Sequence, residues 1–350
     1  MTVLIYGAYG YTGELVAREA ADRDLDFEVA GRNGTKTRGL GIQLGVDSRV
    51  FPPSEAAANL EGVEAVLNCA GPFVNTAEPV VAACLATGTD YLDITGELPV
   101  LAALAERDRE AERADICLLP GVGFDVVPTD CLAAHLHDRF PDATRLRLGF
   151  EPPGTVSGGT LATFFEHLGA GSAIRRDGRL VDVPLASASR TVDFGAGPRS
   201  AVRMPLGDVV TAYYTTGIGT VEAYTPVPEW AQSALRLLDR LGPIVDNRPV
   251  TRALQALARQ FVDGPDQETR ESARAFVWGE ADDGDRTAVS RLVTPETYAF
   301  TADAAVSAAA RVADRDLKGY HTPASAFDAG FVLELAGVEG FLDEETPTLI

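Results

Sequence analysis

Through the first third of the chain, short apolar runs alternate with stretches whose apolar residues recur at helical spacing. Residues 3–6, 27–30, 63–68, 91–94 and 116–119 predict strands. Between the first two, residues 14–22 set Leu15, Val16 and Ala20 on one side and Arg18 and Glu19 on the other, which predicts a helix. Gly71-Pro72 closes the third run as a turn. A helix is expected to start at Pro79, because proline's missing N–H has no intrahelical partner at the first helical position anyway. Strands and helices in this alternation predict an α/β fold on a doubly wound parallel sheet with helices on both faces.

After about residue 126 the pattern changes, which marks a second, α+β domain. Residues 146–150, 191–194 and the 211–214 region read as strands. Asp282-Asp283-Gly284-Asp285 reads as a hairpin tip between strands 275–279 and 287–292. Residues 229–241 and 250–262 carry Trp230, Leu237, Leu238 and Leu241, then Leu254, Leu257, Ala258 and Phe261, at helical spacing. Such a pair suits a packed core, a subunit interface such as a homodimer's, or a cover over an apolar substrate. Residues 264–269 read as a surface connector.

Composition narrows the function classes. The 350 residues suggest about two domains, and 46% hydrophobic residues suffice for buried cores. A formal net charge of −21, from 30 basic against 51 acidic side chains, argues against partners such as nucleic acid or an anionic membrane surface. Lys36 and Lys318 are the only lysines beside 28 arginines, and with the acidic excess this fits a surface suited to concentrated salt. There the Debye length is about 3 Å and repulsion between surface carboxylates is quenched. Cys69, Cys84, Cys117 and Cys131 form no Cys-x-x-Cys pair and lie among apolar or small residues, as expected of reduced thiols in a cytoplasmic protein. The chain opens without the charged start and apolar run of a secretory signal, and no stretch reaches the roughly 18 apolar residues of a membrane span.

The strongest local signal is Gly7-Ala8-Tyr9-Gly10-Tyr11-Thr12-Gly13, set between a strand and a helix. A pyrophosphate needs close backbone approach there, and the free N–H groups of the helix start favour its charge. The spacing is Gly-x-x-Gly-x-x-Gly, and the strand-turn-helix context makes dinucleotide binding the preferred reading over a plain tight turn. At the end of the second strand, Gly31-Arg32-Asn33 stands where an NAD site places a carboxylate for the ribose 2′-hydroxyl. The Arg32 guanidinium suits a 2′-phosphate instead, with Lys36 as a second positive contact, so NADP(H) is the expected cofactor. Asn68-Cys69-Ala70-Gly71-Pro72-Phe73 leaves a third strand with small residues, and residues 69–73 are expected to border the cofactor.

Two further strand exits, Asp93-Ile94-Thr95-Gly96-Glu97 and Gly121-Val122-Gly123-Phe124-Asp125, carry a glycine and carboxylates. Asp93, Glu97, Asp125 and Asp130 are candidates for relaying a proton or holding a polar substrate, with Glu97 and Asp125 the catalytic candidates; the alternative for each is a solvating surface charge. His135, His137, His167 and His321 form no metal-ligand spacing, so no metal is expected. No Gly-x-Ser-x-Gly elbow, Walker sequence or Tyr-x-x-x-Lys pair occurs.

Together with Tyr91-Leu92-Asp93-Ile94-Thr95-Gly96-Glu97, Gly123-Phe124-Asp125-Val126-Val127-Pro128-Thr129-Asp130 and Gly319-Tyr320-His321-Thr322-Pro323-Ala324, these motifs resemble the saccharopine dehydrogenase-like family of NADP-dependent reductases, including its trans-acting enoyl reductase branch. The resemblance implies a Rossmann dinucleotide domain over residues 1–126, an inserted substrate or dimerisation domain on a mixed sheet over 127–318, and a C-terminal segment, 319–350, returning to the first domain. It implies an oxidoreductase acting on a small, lipid-like molecule, with reduction of an activated C=C bond expected first and of C=N or C=O second. A catalytically silent NADP-binding scaffold or sensor is the alternative. Thr76-Ala77 stands where relatives usually carry Tyr-Gly, and Val126 where they carry serine, so their substrate contacts do not transfer.

Overall fold

The computed structural model describes residues 2–153, 172–240, 273–312 and 315–346. The chain divides into two units, residues 1–131 with 297–336, and residues 132–296 with 337–350.

The first unit is built on a seven-stranded sheet in the order β15-β6-β5-β4-β1-β2-β3. Its strands are β1 (Val3–Tyr6), β2 (Phe27–Gly31), β3 (Ser48–Val50), β4 (Ala65–Asn68), β5 (Asp90–Asp93), β6 (Cys117–Leu119) and β15 (Gly319–Tyr320). Every pairing is parallel. The apolar strands are buried on both faces, as crossover helices on either side require: Val3, Leu4 and Ile5 are wholly buried, as are Leu67 and Leu92. The chain runs outward from β1 to β2 and β3, then returns to β4 on the other flank of β1. That reversal lies between β1 and β4, and ligands of open α/β sheets bind beyond the strand ends at such a point.

Two expectations are corrected here. The helix expected at Pro79 begins at Phe73 and runs Phe73–Thr87 with Pro79 inside it. Its first N–H groups are capped by a distant carboxylate, described below, so the start does not need proline. The segment expected to return at 319 and stay with the first unit instead rejoins it at Thr297 and leaves again at Gly337. The last strand, β16 (Glu339–Thr346), pairs antiparallel with β14 (Thr287–Pro295) of the second unit. It is an acidic edge strand, and charge on an edge blocks further pairing while disguising the strand in sequence.

The second unit carries a mixed sheet in the order β10 (Ser189–Asp193), β11 (Pro198–Arg203), β12, β7, β13, β14 and β16, with β8 (Ser172–Arg176) and β9 (Arg179–Val183) attached through β12. The pairing of β7 (Arg145–Glu151) with β12 (Thr220–Pro226) is parallel and its neighbours are antiparallel. β13 (Arg274–Asp282) and β14 (Thr287–Pro295) form the expected hairpin. Arginines are spent across strands: Arg147 donates to Glu280 at 2.7 Å and Asp282 at 2.6 Å, Arg190 to Glu280 at 2.7 Å, and Arg203 to Glu222 at 2.7 Å.

The 211–214 region, expected as a strand, is the helix Asp208–Thr216. Its Val-Val-Thr-Ala-Tyr-Tyr run favours strands locally. Burial of Val209, Val210 and Ala212 and a left-handed stop at Gly217, φ 73°, decide for helix. Helix Glu229–Arg240 is present, with Leu235 packed in a small core with Leu185, Val202 and Met204. The side chains of Trp230, Leu237 and Leu238, residues 241 and 250–262, the connector 264–269 and His167 lie outside the described residues.

Candidate dinucleotide site

The turn after β1 is shaped by glycines at two points where a side chain has no room. Gly7 has φ +81°, and a Cβ there would lie 2.7 Å from the Cβ and 2.8 Å from the Cα of Ala70. The exits of β1 and β4 are therefore in backbone contact. A Cβ on Gly13 would lie 2.4 Å from the Gly7 carbonyl oxygen, so the first turn of helix Tyr11–Asp22 sits directly on the strand exit. Gly10 precedes the helix and no side chain caps it. The helix start thus presents its polar end at the strand-order reversal, next to Tyr11 and Thr12.

The exit of β2 adds the second half of the cradle. The Tyr9 ring lies on Gly31, where a Cβ would meet it at 2.5 Å, and the Lys36 Nζ sits 5.9 Å from that ring's centroid. Asn33 caps helix Gly34–Leu44 by accepting from the Lys36 N–H at 3.1 Å, so it serves the helix. Arg32 is exposed and has no hydrogen-bond or ion-pair partner among the described residues.

The structure brings the Gly7 to Gly13 turn together with Ala70, and Tyr9 with Gly31 and Lys36. Cys69 is buried, and burial pushes its thiol well up. Gly71 and Pro72 are exposed beside it, joined by a cis peptide. Phe73 and Val74 open the next helix, and their N–H groups donate to the two carboxylate oxygens of Glu97 at 2.7 and 2.9 Å. Asp125 is exposed and packs on Gly96, where a Cβ would lie 2.6 Å from its own. Asp130 is buried and accepts from the Ala324 N–H at 2.8 Å. His135 stacks on Phe341 with ring centroids 3.9 Å apart and bonds Asp343 at 2.9 Å. Among the described residues no group of three or more His, Cys, Asp or Glu is placed to hold a metal.

Sequence reasoning missed a buried polar chain beneath this edge. Asn68 and Tyr91 are wholly buried; the Asn68 Nδ2 donates to the Tyr91 hydroxyl at 3.2 Å, and that hydroxyl donates to Asp93 at 2.8 Å. The available signal was Asn68 closing an otherwise apolar strand and Asp93 closing the next. Asp93 also accepts from the N–H groups of Thr95 at 3.0 Å and Gly121 at 2.9 Å. Burial nonetheless pushes its carboxyl up to about 6, with Glu97 adding to the effect and those donors opposing it. The titratable groups facing it are Tyr91, Cys69 and Glu97.

A carboxyl that holds its proton more tightly when folded than its ordinary 3.8 contributes stability that is full below about pH 4 and lost as pH rises through about 6. Relative to Asp93→Asn, which does not titrate, the wild type is expected to lose on the order of 3 kcal/mol between about pH 4 and about pH 7. Urea unfolding of both proteins across that range measures it. A difference that stays flat or grows with pH contradicts the burial argument.

A reversal point lined by glycines, a helix start with no side-chain cap and a guanidinium with no partner among the described residues define a Rossmann-type dinucleotide-binding unit. Residues 3–116 match the family model described as the saccharopine dehydrogenase NADP binding domain. The chain is 29% identical over 224 residues to a trans-acting enoyl reductase of Mycobacterium ulcerans, covering 59% of this chain and 54% of the relative. It is 30% identical over 214 residues to one of Mycobacterium tuberculosis, covering 56% and 50%. The chain thus matches about half the length of these curated relatives. An apo saccharopine dehydrogenase (L-Glu forming) from Saccharomyces cerevisiae aligns over 99% of this chain and 100% of its own with a TM-score of 0.64 at 15% identity, which shows a shared fold. Among the described residues no helix is long and apolar enough to cross a membrane.

Proposed function

We propose that this protein is an NADP(H)-dependent oxidoreductase that reduces an activated C=C bond in a small, lipid-like substrate. The observation that carries the cofactor half is Arg32, exposed at the exit of β2 with no hydrogen-bond or ion-pair partner among the described residues. The cradle fits the cofactor, because the missing side chains at Gly7 and Gly13 let the exits of β1 and β4 and the first turn of helix Tyr11–Asp22 close on one another, which sets backbone N–H groups at the reversal point where a pyrophosphate would lie. Gly7 to Gly13 would hold the pyrophosphate, Arg32 and Lys36 the 2′-phosphate, and Cys69 to Phe73 would border the nicotinamide half. When bound, the dinucleotide supplies the hydride; the chain's own residues bind and orient it. The enoyl assignment is supported by the relatives' names. C=N and C=O reduction stand behind it, and four buried thiols suit a reducing cytoplasm.

Glu97 favours a second reading, an NADP-binding scaffold or sensor. With both oxygens on backbone N–H groups, it is placed to hold a turn and poorly placed to give up a proton. Asp125, exposed beside Gly96, is the proton donor proposed for the enzyme reading. NADPH absorbance followed with enoyl thioesters, imines and ketones separates the two. Steady, protein-dependent oxidation fastest with the enoyl substrates is expected, and none with any substrate would leave the scaffold.

A further inference from the structure

The exposed turn at Gly71-Pro72 is gripped from both ends by one chain of hydrogen bonds that is buried at its centre. On its upstream side the Ala70 N–H donates to the Asn68 Oδ1 at 3.0 Å, and the Ala70 carbonyl accepts from the Thr76 hydroxyl at 2.7 Å. Asn68 leads through the Tyr91 hydroxyl to the Asp93 Oδ2. On the downstream side the Asp93 Oδ1 takes the Thr95 N–H, the Thr95 hydroxyl oxygen takes the Glu97 N–H at 3.0 Å, and Glu97 takes the N–H groups of Phe73 and Val74. The two arms meet at a single carboxylate, which is wholly buried and is also tied to the exit of β6 through the Gly121 N–H.

We propose that Asp93 is a positioning residue: through Tyr91 and Asn68 on one arm and Thr95 and Glu97 on the other, it sets the Ala70 to Val74 turn where the nicotinamide half of the cofactor must lie. The inference rests on the dinucleotide reading above, in which residues 69–73 border the cofactor. A buried, polarised network fixes one arrangement when each member is satisfied, and loses it when one acceptor is removed. In Asp93→Asn one oxygen can still accept from Thr95 and Gly121, but the amide nitrogen turned toward Tyr91 leaves the phenol proton without its acceptor. In Tyr91→Phe the ring is kept and the link to Asn68 is cut. Neither Asp93 nor Tyr91 hydrogen-bonds to the Gly7 to Gly13 turn or to Arg32, which would hold the phosphates of the adenine half.

The test compares NADP+ with adenosine 2′,5′-bisphosphate, a probe of the adenine half alone, by calorimetric titration of wild type, Asp93→Asn and Tyr91→Phe. Both variants are expected to weaken NADP+ about tenfold and to leave the bisphosphate within about twofold. Hydrogen exchange of the unliganded proteins is expected to speed up at the amides of Ala70, Phe73 and Val74 while those of β1 stay protected. Equal weakening of both ligands would make the network a general stabiliser and overturn the proposal. Unchanged NADP+ binding, with the bisphosphate still bound by wild type, would overturn the proposal while leaving the dinucleotide reading intact. Failure of wild type to bind the bisphosphate would overturn the dinucleotide reading and this proposal together.

Discussion

Arg32→Ala is expected to weaken NADPH binding about 10- to 100-fold while leaving NADH within about threefold, so that the preference between the two disappears. The difference between those cofactors is one phosphate, and a guanidinium is the side chain whose fork matches it. Most comparable arginines are already committed: Arg49 holds Glu28 at 2.8 Å and Arg18 holds Glu14 at 2.7 Å. Arg32 is exposed at the strand exit with its donors unused among the described residues. Arg32→Lys keeps the charge and loses the fork, so an intermediate loss is expected. Fluorescence titration of each variant with both cofactors measures the ratio. If NADPH and NADH weaken together, the 2′-phosphate is held elsewhere.

Gly7→Ala carries the second large effect. The residue sits at φ +81°, which L side chains rarely adopt, and the new methyl would lie 2.7 to 2.8 Å from the Cβ, Cα and N of Ala70. Backbone strain and overpacking each cost about 1–3 kcal/mol, so a loss of roughly 3 kcal/mol in unfolding free energy is expected, together with loss of NADPH binding. Gly39→Ala is the internal control. A Cβ there meets nothing within 4 Å in helix Gly34–Leu44, and about 0.5–1 kcal/mol of stabilisation is expected. Denaturant unfolding compares the two. A Gly7→Ala protein as stable as wild type would mean that the exits of β1 and β4 are not in the contact described.

The strands of the first sheet were legible because β1 and β6 are unbroken apolar runs and β4 is apolar up to its closing Asn68, as doubly buried parallel strands require. The glycine turn was legible as a tight strand-to-helix turn, because Gly7 and Gly13 stand where a Cβ has no room. Residues 208–216 were read wrongly because β-branched and aromatic residues speak for a strand locally, while packing and the Gly217 stop decide for helix. The start of helix Phe73–Thr87 was hidden because its cap, Glu97, arrives from 23 and 24 residues away along the chain. Asn68, Tyr91 and Asp93 are separate polar letters in sequence, and only the register of β4 with β5, which pairs Asn68 with Asp93 and Val66 with Tyr91, makes them one network.

Calorimetric titration of the wild-type protein with NADPH and with NADH, in molar salt where repulsion from the −21 net charge is screened, tests the central claim most directly. One NADPH per chain, bound at least about tenfold more tightly than NADH, is the predicted result. Equal affinity for the two, or no binding of either, would contradict the account.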